Sequence, residues 1–393
     1  MPNGQRRRVV AMTLGSFLAF FILGLVDVLK GSTISAVLSD QQFSYTQGGF
    51  IVMSSYLGFV VATLAGGFLA DRIGKKSILI LAALFFLSGI ASYAVAESYY
   101  LFLVAFFGVG FACGLDEIGS NYIILDIHRR RPALYVNLLT AFYGVGSMLA
   151  PLYTFYLFRL ELGWREVYLY CLPAPFILLV FFLIAPYPRL AGSESHRLDY
   201  RELAKTAFTG GMCWLYVLCF AYVAVEVCIG TWLVEYLWVA RGMPLQDGAT
   251  WLAVYYGGIL AGRLSGGFLV ERVGYVKSLV ITVALCTLCI LTGIFGPSGL
   301  AFLLPGSGFF LSIILPTATA LVSTLVQRNL GAVLGLFFCC IGLGGMVGPW
   351  LAGWVSDWLG LVAGLSTAVF FCLVMLFSLY KIRQALNRAA TRH

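Results

Sequence analysis

Charge is what this sequence lacks. Only 11% of its 393 residues are Asp, Glu, Lys or Arg, less than half of the roughly 25% in an ordinary soluble domain. The chain is 61% hydrophobic, with a mean hydropathy of +0.93. It has too little polar surface to coat a globule in water, so its solvent is lipid. Histidine is scarce too: His128, His196 and His393 are the three, and none falls in an apolar run. No Ser/His/Asp set, histidine cluster or phosphate-cradling loop meets at one depth, which argues against an enzyme and against nucleotide-driven pumping. The sequence calls for no metal and no cofactor. With a longest polar segment at 187–208 and a short C-terminal tail, no added receptor domain is expected. The ten cysteines lie inside apolar runs, and Cys286-x-x-Cys289 has no second pair nearby, so they read as packing residues.

What is there is a series of twelve apolar runs, at about 9–31, 46–70, 76–95, 99–124, 133–158, 164–186, 209–238, 247–270, 276–296, 299–325, 330–355 and 359–381. About 20 residues of helix cross the hydrocarbon. Backbone groups in lipid must pair within their own segment, so the runs are helices. The expected fold class is an all-α membrane protein of twelve transmembrane helices. The first run follows Arg6-Arg7-Arg8 as a signal peptide would, but it is too long for one and reads as a retained span.

The net charge of +8 marks no nucleic-acid surface, because the basic residues fall in short clusters between spans. With both termini in the cytoplasm, Arg6–Arg8, Arg72, Lys75, Lys76, Arg129–Arg131, Arg189, Arg197, Arg201, Lys205, Arg272, Lys277, Arg328, Lys381, Arg383, Arg388 and Arg392 lie inside. Only Arg159, Arg165 and Arg241 lie outside. That split supports an even number of spans and a plasma or inner membrane orientation with both termini cytoplasmic.

The chain also repeats itself. Gly66-Gly67-Phe68-Leu69-Ala70-Asp71-Arg72-Ile73-Gly74-Lys75-Lys76 returns as Gly266-Gly267-Phe268-Leu269-Val270-Glu271-Arg272-Val273-Gly274. Gly144-Val145-Gly146 through Pro151 returns as Gly342-Leu343-Gly344 through Pro349. Nearly one offset in corresponding spans predicts two parallel six-helix bundles, 1–186 and 209–393, joined by a cytoplasmic linker at 187–208.

The stretch from Gly67 to Lys76 resembles the loop 2–3 signature of the major facilitator superfamily, with a weaker second-half copy. The resemblance implies a rocker-switch transporter with one central site, working as a monomer. A narrower resemblance, to the fucose/glucose:proton symporter branch, rests on four patches. They are Gly24 through Gly31 with Asp27, Gly114 through Asn121, Asn137 ahead of Phe142-Tyr143-Gly144, and Glu226 followed by Trp232. That branch ties an acid in span one and a Glu in span four to proton coupling and sugar binding, which fall here on Asp27 and Glu117.

The residues themselves point the same way. Ionisable groups in a bilayer cost several kcal/mol unless they face a cavity or partner, so each is a functional candidate. Asp27 and Lys30 share a helix face at i,i+3, near the outer end of a span ending at 31. They read either as a proton acceptor held by a lysine or as a self-neutralising pair at a vestibule. Glu117 and Asn121 share a face at i,i+4 and offer an acceptor and an amide to solute hydroxyls. Adjacent Asp116 points elsewhere and is expected to pair with a neighbouring helix. Glu226 is expected as a second proton site or a solute ligand. Asn137, Tyr143, Trp232 and Tyr256 are expected at the solute, with Trp232 as a stacking surface. Arg263 is expected at the cytoplasmic gate rather than as a cavity cation. Asp71, Arg72, Lys75, Glu271 and Arg272 complete the gates, with Asp71 aimed at 329–331, and Glu235 reads as a gate or surface residue. The expected function is proton-coupled symport of a small neutral polar solute such as a monosaccharide. The alternative on the same fold is a proton-coupled efflux antiporter for hydrophobic drugs or other amphiphiles. The partners are the solute, protons and the bilayer, with no nucleic acid.

Overall fold

The computed structural model describes residues 3–186, 210–325 and 330–390. The described residues form helices and no strand. The linker expected at 187–208 lies outside them. Helix α1 runs Asn3–Gln41, α2 Tyr45–Ile73, α3 Lys75–Ala94, α4 Tyr99–Ile127 and α5 Pro132–Arg159. The sixth span is broken into α6 (Trp164–Cys171) and α7 (Pro173–Ile184). Then come α8 (Gly210–Glu235), a π-helical turn at Tyr236–Ala240, α9 (Leu245–Val273) and α10 (Tyr275–Phe295). The tenth span is also broken, into α11 (Leu303–Leu311) and α12 (Ile314–Leu325), before α13 (Leu330–Leu359) and α14 (Leu361–Ala390). Proline explains both breaks. Pro175 lacks the amide that would bond the Cys171 carbonyl, and Pro316 lacks the one for Ser312.

Among the described residues, eleven segments are long and apolar enough to cross a membrane. The twelfth expected span lies in α9, whose 29 residues carry Asp247, Arg263, Glu271 and Arg272. Helix α1 is longer than its apolar run. The hydroxyls of Ser32 and Thr33 return to the Leu29 carbonyl at 3.0 and 2.7 Å. Polar residues that read as the end of a span are therefore satisfied inside the helix. Fourteen helical residues follow Asp27 before α1 ends at Gln41, about 21 Å, so the Asp27–Lys30 pair is not at the end of its helix.

The chain divides into two compact units, one of residues 1–42 and 50–194, the other of 43–49 and 195–393. In the first, α1 packs on α5 and α3 on α4; in the second, α8 packs on α13 and α14, and α9 on α11. Both repeated motifs have structural reasons. Gly74 and Gly274 join successive helices at φ of 87° and 89°, which glycine adopts without a Cβ penalty. A Cβ on Gly146 would collide with the Phe21 carbonyl, and one on Gly344 with the Phe220 carbonyl. The glycines thus seat α5 on α1 and α13 on α8 in the same register.

Candidate functional site

That register makes Asp27 and Glu226 equivalent, since each lies six residues beyond the seated phenylalanine. A second glycine pair does the same for the tyrosines. Gly110 seats on the Ser55 carbonyl and Gly308 on the Tyr255 carbonyl, so the next residues, Tyr56 and Tyr256, correspond.

In the first unit, Lys30 is buried and binds Asp27 Oδ1 as an ion pair one helical turn away. The Tyr143 hydroxyl donates to Asp27 Oδ2 at 2.9 Å. Lys30 Nζ also lies 4.4 Å from the Tyr56 ring centroid, a cation–π contact. Both carboxylate oxygens of Asp27 therefore have a partner, from α1 and α5. Nearby on α4, Glu117 and Asn121 are half-buried. Asn121 Nδ2 donates to the Glu117 backbone carbonyl at 2.8 Å, which turns the amide back along its own helix. Asp116 differs from expectation. It is fully buried, and its Oδ1 accepts from Ser120 Oγ on the same helix at 2.9 Å. Among the described residues its Oδ2 has no hydrogen-bond partner. A serine at i+4 takes the role assigned to a neighbouring helix.

In the second unit, Arg263 Nη2 stands 3.9 Å from Glu226 Oε1, with side chains 20% and 13% exposed. Arg263, expected at the gate, is set against the acid expected as a proton site or solute ligand. From nearly three turns before the end of α9, its long side chain reaches the acid of α8. The cation thus reaches Glu226 from a second helix, whereas Lys30 reaches Asp27 from the same one. Tyr255 donates to the Glu226 carbonyl at 3.1 Å, and the Tyr256 hydroxyl lies against Gly230.

Three other expectations change. Trp232 is fully buried, donates Nε1–H to the Pro349 carbonyl at 2.9 Å and meets the Tyr45 ring edge-on at 5.7 Å. Its face is a packing surface here, not a free platform for a sugar ring. Asn137, expected as a buried amide, is exposed because it lies just over one turn into α5. Glu235 is buried and accepts from the Tyr45 hydroxyl at 3.0 Å, so it is no surface residue.

At the repeated junction, Lys75 forms an ion pair with Asp126 and lies 5.6 Å from the Tyr122 ring. Sequence reading missed Asp126, because nothing in its spacing marks the end of α4 as a partner of α3. Arg72, Glu271 and Arg272 are exposed. The side chain of Asp71 and residue 329 of its expected target, 329–331, lie outside the described residues. His128, at the end of α4, stacks on Tyr135 with centroids 3.4 Å apart, and its Nε2 is 2.8 Å from Thr13 Oγ1. Burial pushes its imidazole below the ordinary range.

The two units are built on one repeat, and each sets an acid, a cation and a tyrosine among apolar helices. The chain is 22% identical over 296 residues to the cis,cis-muconate transport protein of Acinetobacter baylyi, covering 69% of this chain and 70% of that one. Its fold is similar to that of a bacterial homologue of the human lysosomal transporter Spinster, with a TM-score of 0.79, 16% identity and 98% of both chains covered. It is also similar to that of a D-xylose–proton symporter, with a TM-score of 0.76, 16% identity and 95% and 97% covered. The profile of the Major Facilitator Superfamily matches residues 12–306 and 215–392. The chain is therefore a multi-pass integral membrane transporter, not an enzyme, and belongs to the Major Facilitator Superfamily.

Proposed function

We propose that this transporter couples protons to the movement of a small neutral polar solute, such as a monosaccharide, by alternating access. The observation that carries the reading is charge balance. Lys30 and Arg263, each in the body of its helix, stand beside a carboxylate, Asp27 and Glu226. A pocket for an organic anion needs cations to spare, and these are matched. Carboxylates are also the groups suited to carrying the proton, since no histidine lies in a described span. Asp27, Glu117 and Glu226 are assigned to proton coupling. Lys30, Glu117, Asn121 and Tyr143 are assigned to the solute, together with Tyr256. The similarity to a D-xylose–proton symporter supports a sugar as the first solute to test.

The chain works as a monomer, with Asp71, Arg72, Lys75, Glu271 and Arg272 at the cytoplasmic ends of its two bundles. Transport by purified protein in vesicles tests the reading. Glucose and a lipophilic cation are compared under an imposed proton gradient. Accumulation of the sugar down the proton gradient is expected. Proton-driven expulsion of the cation, without sugar uptake, would instead establish an efflux antiporter.

A further inference from the structure

The first turn of α2 is seated on a carboxylate far away in the sequence. Its sequence is Ser44-Tyr45-Thr46-Gln47. Ser44 and Gln47 form a reciprocal capping box. The Gln47 amide donates to Ser44 Oγ at 3.2 Å, and the Ser44 amide donates to Gln47 Oε1 at 2.9 Å. A capping box leaves the next two amides without a partner in their own helix. Here they go to a carboxylate 311 residues away. The Tyr45 amide donates to Asp357 Oδ1 at 2.9 Å, and the Thr46 amide to Asp357 Oδ2 at 2.8 Å. Among the described residues Asp357 forms no ion pair. Its charge is met by the positive end of the α2 dipole.

The seat extends beyond these two bonds. Tyr45 reaches down to Glu235 and Trp232. A Cβ on Gly353 would collide with the Tyr45 carbonyl, and one on Gly49 would press on Trp350 Cα, so two glycines permit the close fit. Residues 43–49 accordingly belong to the second unit, while 50–194 belong to the first, although α2 is unbroken from Tyr45 to Ile73.

We propose that Asp357 is a releasable catch on the first turn of α2, and that letting go of it is a step in the transport cycle. The capping box is what makes the catch releasable. When Asp357 withdraws, Ser44 and Gln47 still cap the helix, so the turn leaves its seat folded. Departure of Tyr45 then uncovers Trp232 and Glu235. The catch draws only on the fold and stands whatever the solute is.

Hydrogen–deuterium exchange on the full-length protein in lipid nanodiscs tests it, comparing wild type with Asp357→Asn and Asp357→Ala. Asn keeps the shape and one acceptor, so it serves if the alanine variant fails to fold. Faster exchange is expected in two segments together, 43–50 and 230–236. The rise is about tenfold for Ala, the effect of losing a charged cap, and smaller for Asn, with 75–127 unchanged. Unchanged exchange in both segments would overturn the proposal. So would a rise confined to the amides of Tyr45 and Thr46, which is local fraying of a helix end.

Discussion

The Tyr143 hydroxyl donates a 2.9 Å hydrogen bond to Asp27 Oδ2, joining α5 to the acid of α1. Hydrogen bonds to a charged group contribute about 1.5–3 kcal/mol. Tyr143→Phe is therefore expected to lower the kcat/KM of proton-driven uptake roughly tenfold and to leave the fold intact. Asp27→Asn is expected to abolish accumulation against a gradient while sparing exchange of solute between two equal pools. Parallel assays of accumulation and counterflow in vesicles check both. Loss of counterflow as well would make Asp27 a solute ligand rather than a coupling group.

The pair in the second unit makes a separate prediction. Removing one partner of a buried ion pair strands the other charge, which costs more than losing both. At 3.9 Å the pair is loose, so Arg263→Gln is expected to cost about 1–3 kcal/mol. Adding Glu226→Gln should recover much of that. Thermal unfolding of both single variants and the double variant measures the coupling. Additive losses would show that the two side chains do not stabilise each other.

Two of the three arginines that break the charge asymmetry have a structural use. Arg241 Nη2 donates to the carbonyls of Gly293, Ile294 and Gly296 at 3.0, 2.9 and 3.2 Å, closing the end of α10. Arg165 Nη1 donates to the Ala94 carbonyl at 2.8 Å, at the end of α3. Both satisfy orphan carbonyls and the negative end of a dipole. Arg241→Ala is expected to destabilise by about 2 kcal/mol, and Arg165→Ala, with one carbonyl, by about 1 kcal/mol. Denaturation midpoints check the order, and equal losses would contradict it.

His128 gives a pH dependence. Burial lowers its affinity for a proton in the folded chain, whereas the unfolded chain takes one up near pH 6.5. Stability from the neutral imidazole is therefore complete above that pH and is lost as the pH falls through it. Between pH 7.5 and 5.5 the wild-type Tm is expected to fall further than that of His128→Gln. Parallel Tm curves would remove His128 from the account.

The fold was legible because lipid leaves a coarse record. Apolar runs mark the spans, clustered arginines mark their ends, and the Gly74 and Gly274 copies mark the repeat. The site was legible only where its partners share a helix, as Asp27 and Lys30 do at i,i+3. Contacts between helices carry no such period. Arg263 meets Glu226, Lys75 meets Asp126, and Trp232 meets Tyr45 through packing geometry that spacing does not encode. Hydropathy also misled at α1, where Ser32 and Thr33 continue the helix by bonding to its own backbone.

Charge balance at Asp27–Lys30 and Glu226–Arg263 is the centre of the account, and uptake in proteoliposomes tests it most directly. Labelled monosaccharide is supplied outside, and a proton gradient is imposed inward and then collapsed with an ionophore. Wild-type vesicles are predicted to concentrate the sugar only while the gradient lasts, and Asp27→Asn vesicles to equilibrate it without concentrating it. Sugar accumulation by wild type that survives collapse of the gradient, or that Asp27→Asn retains in full, would contradict it.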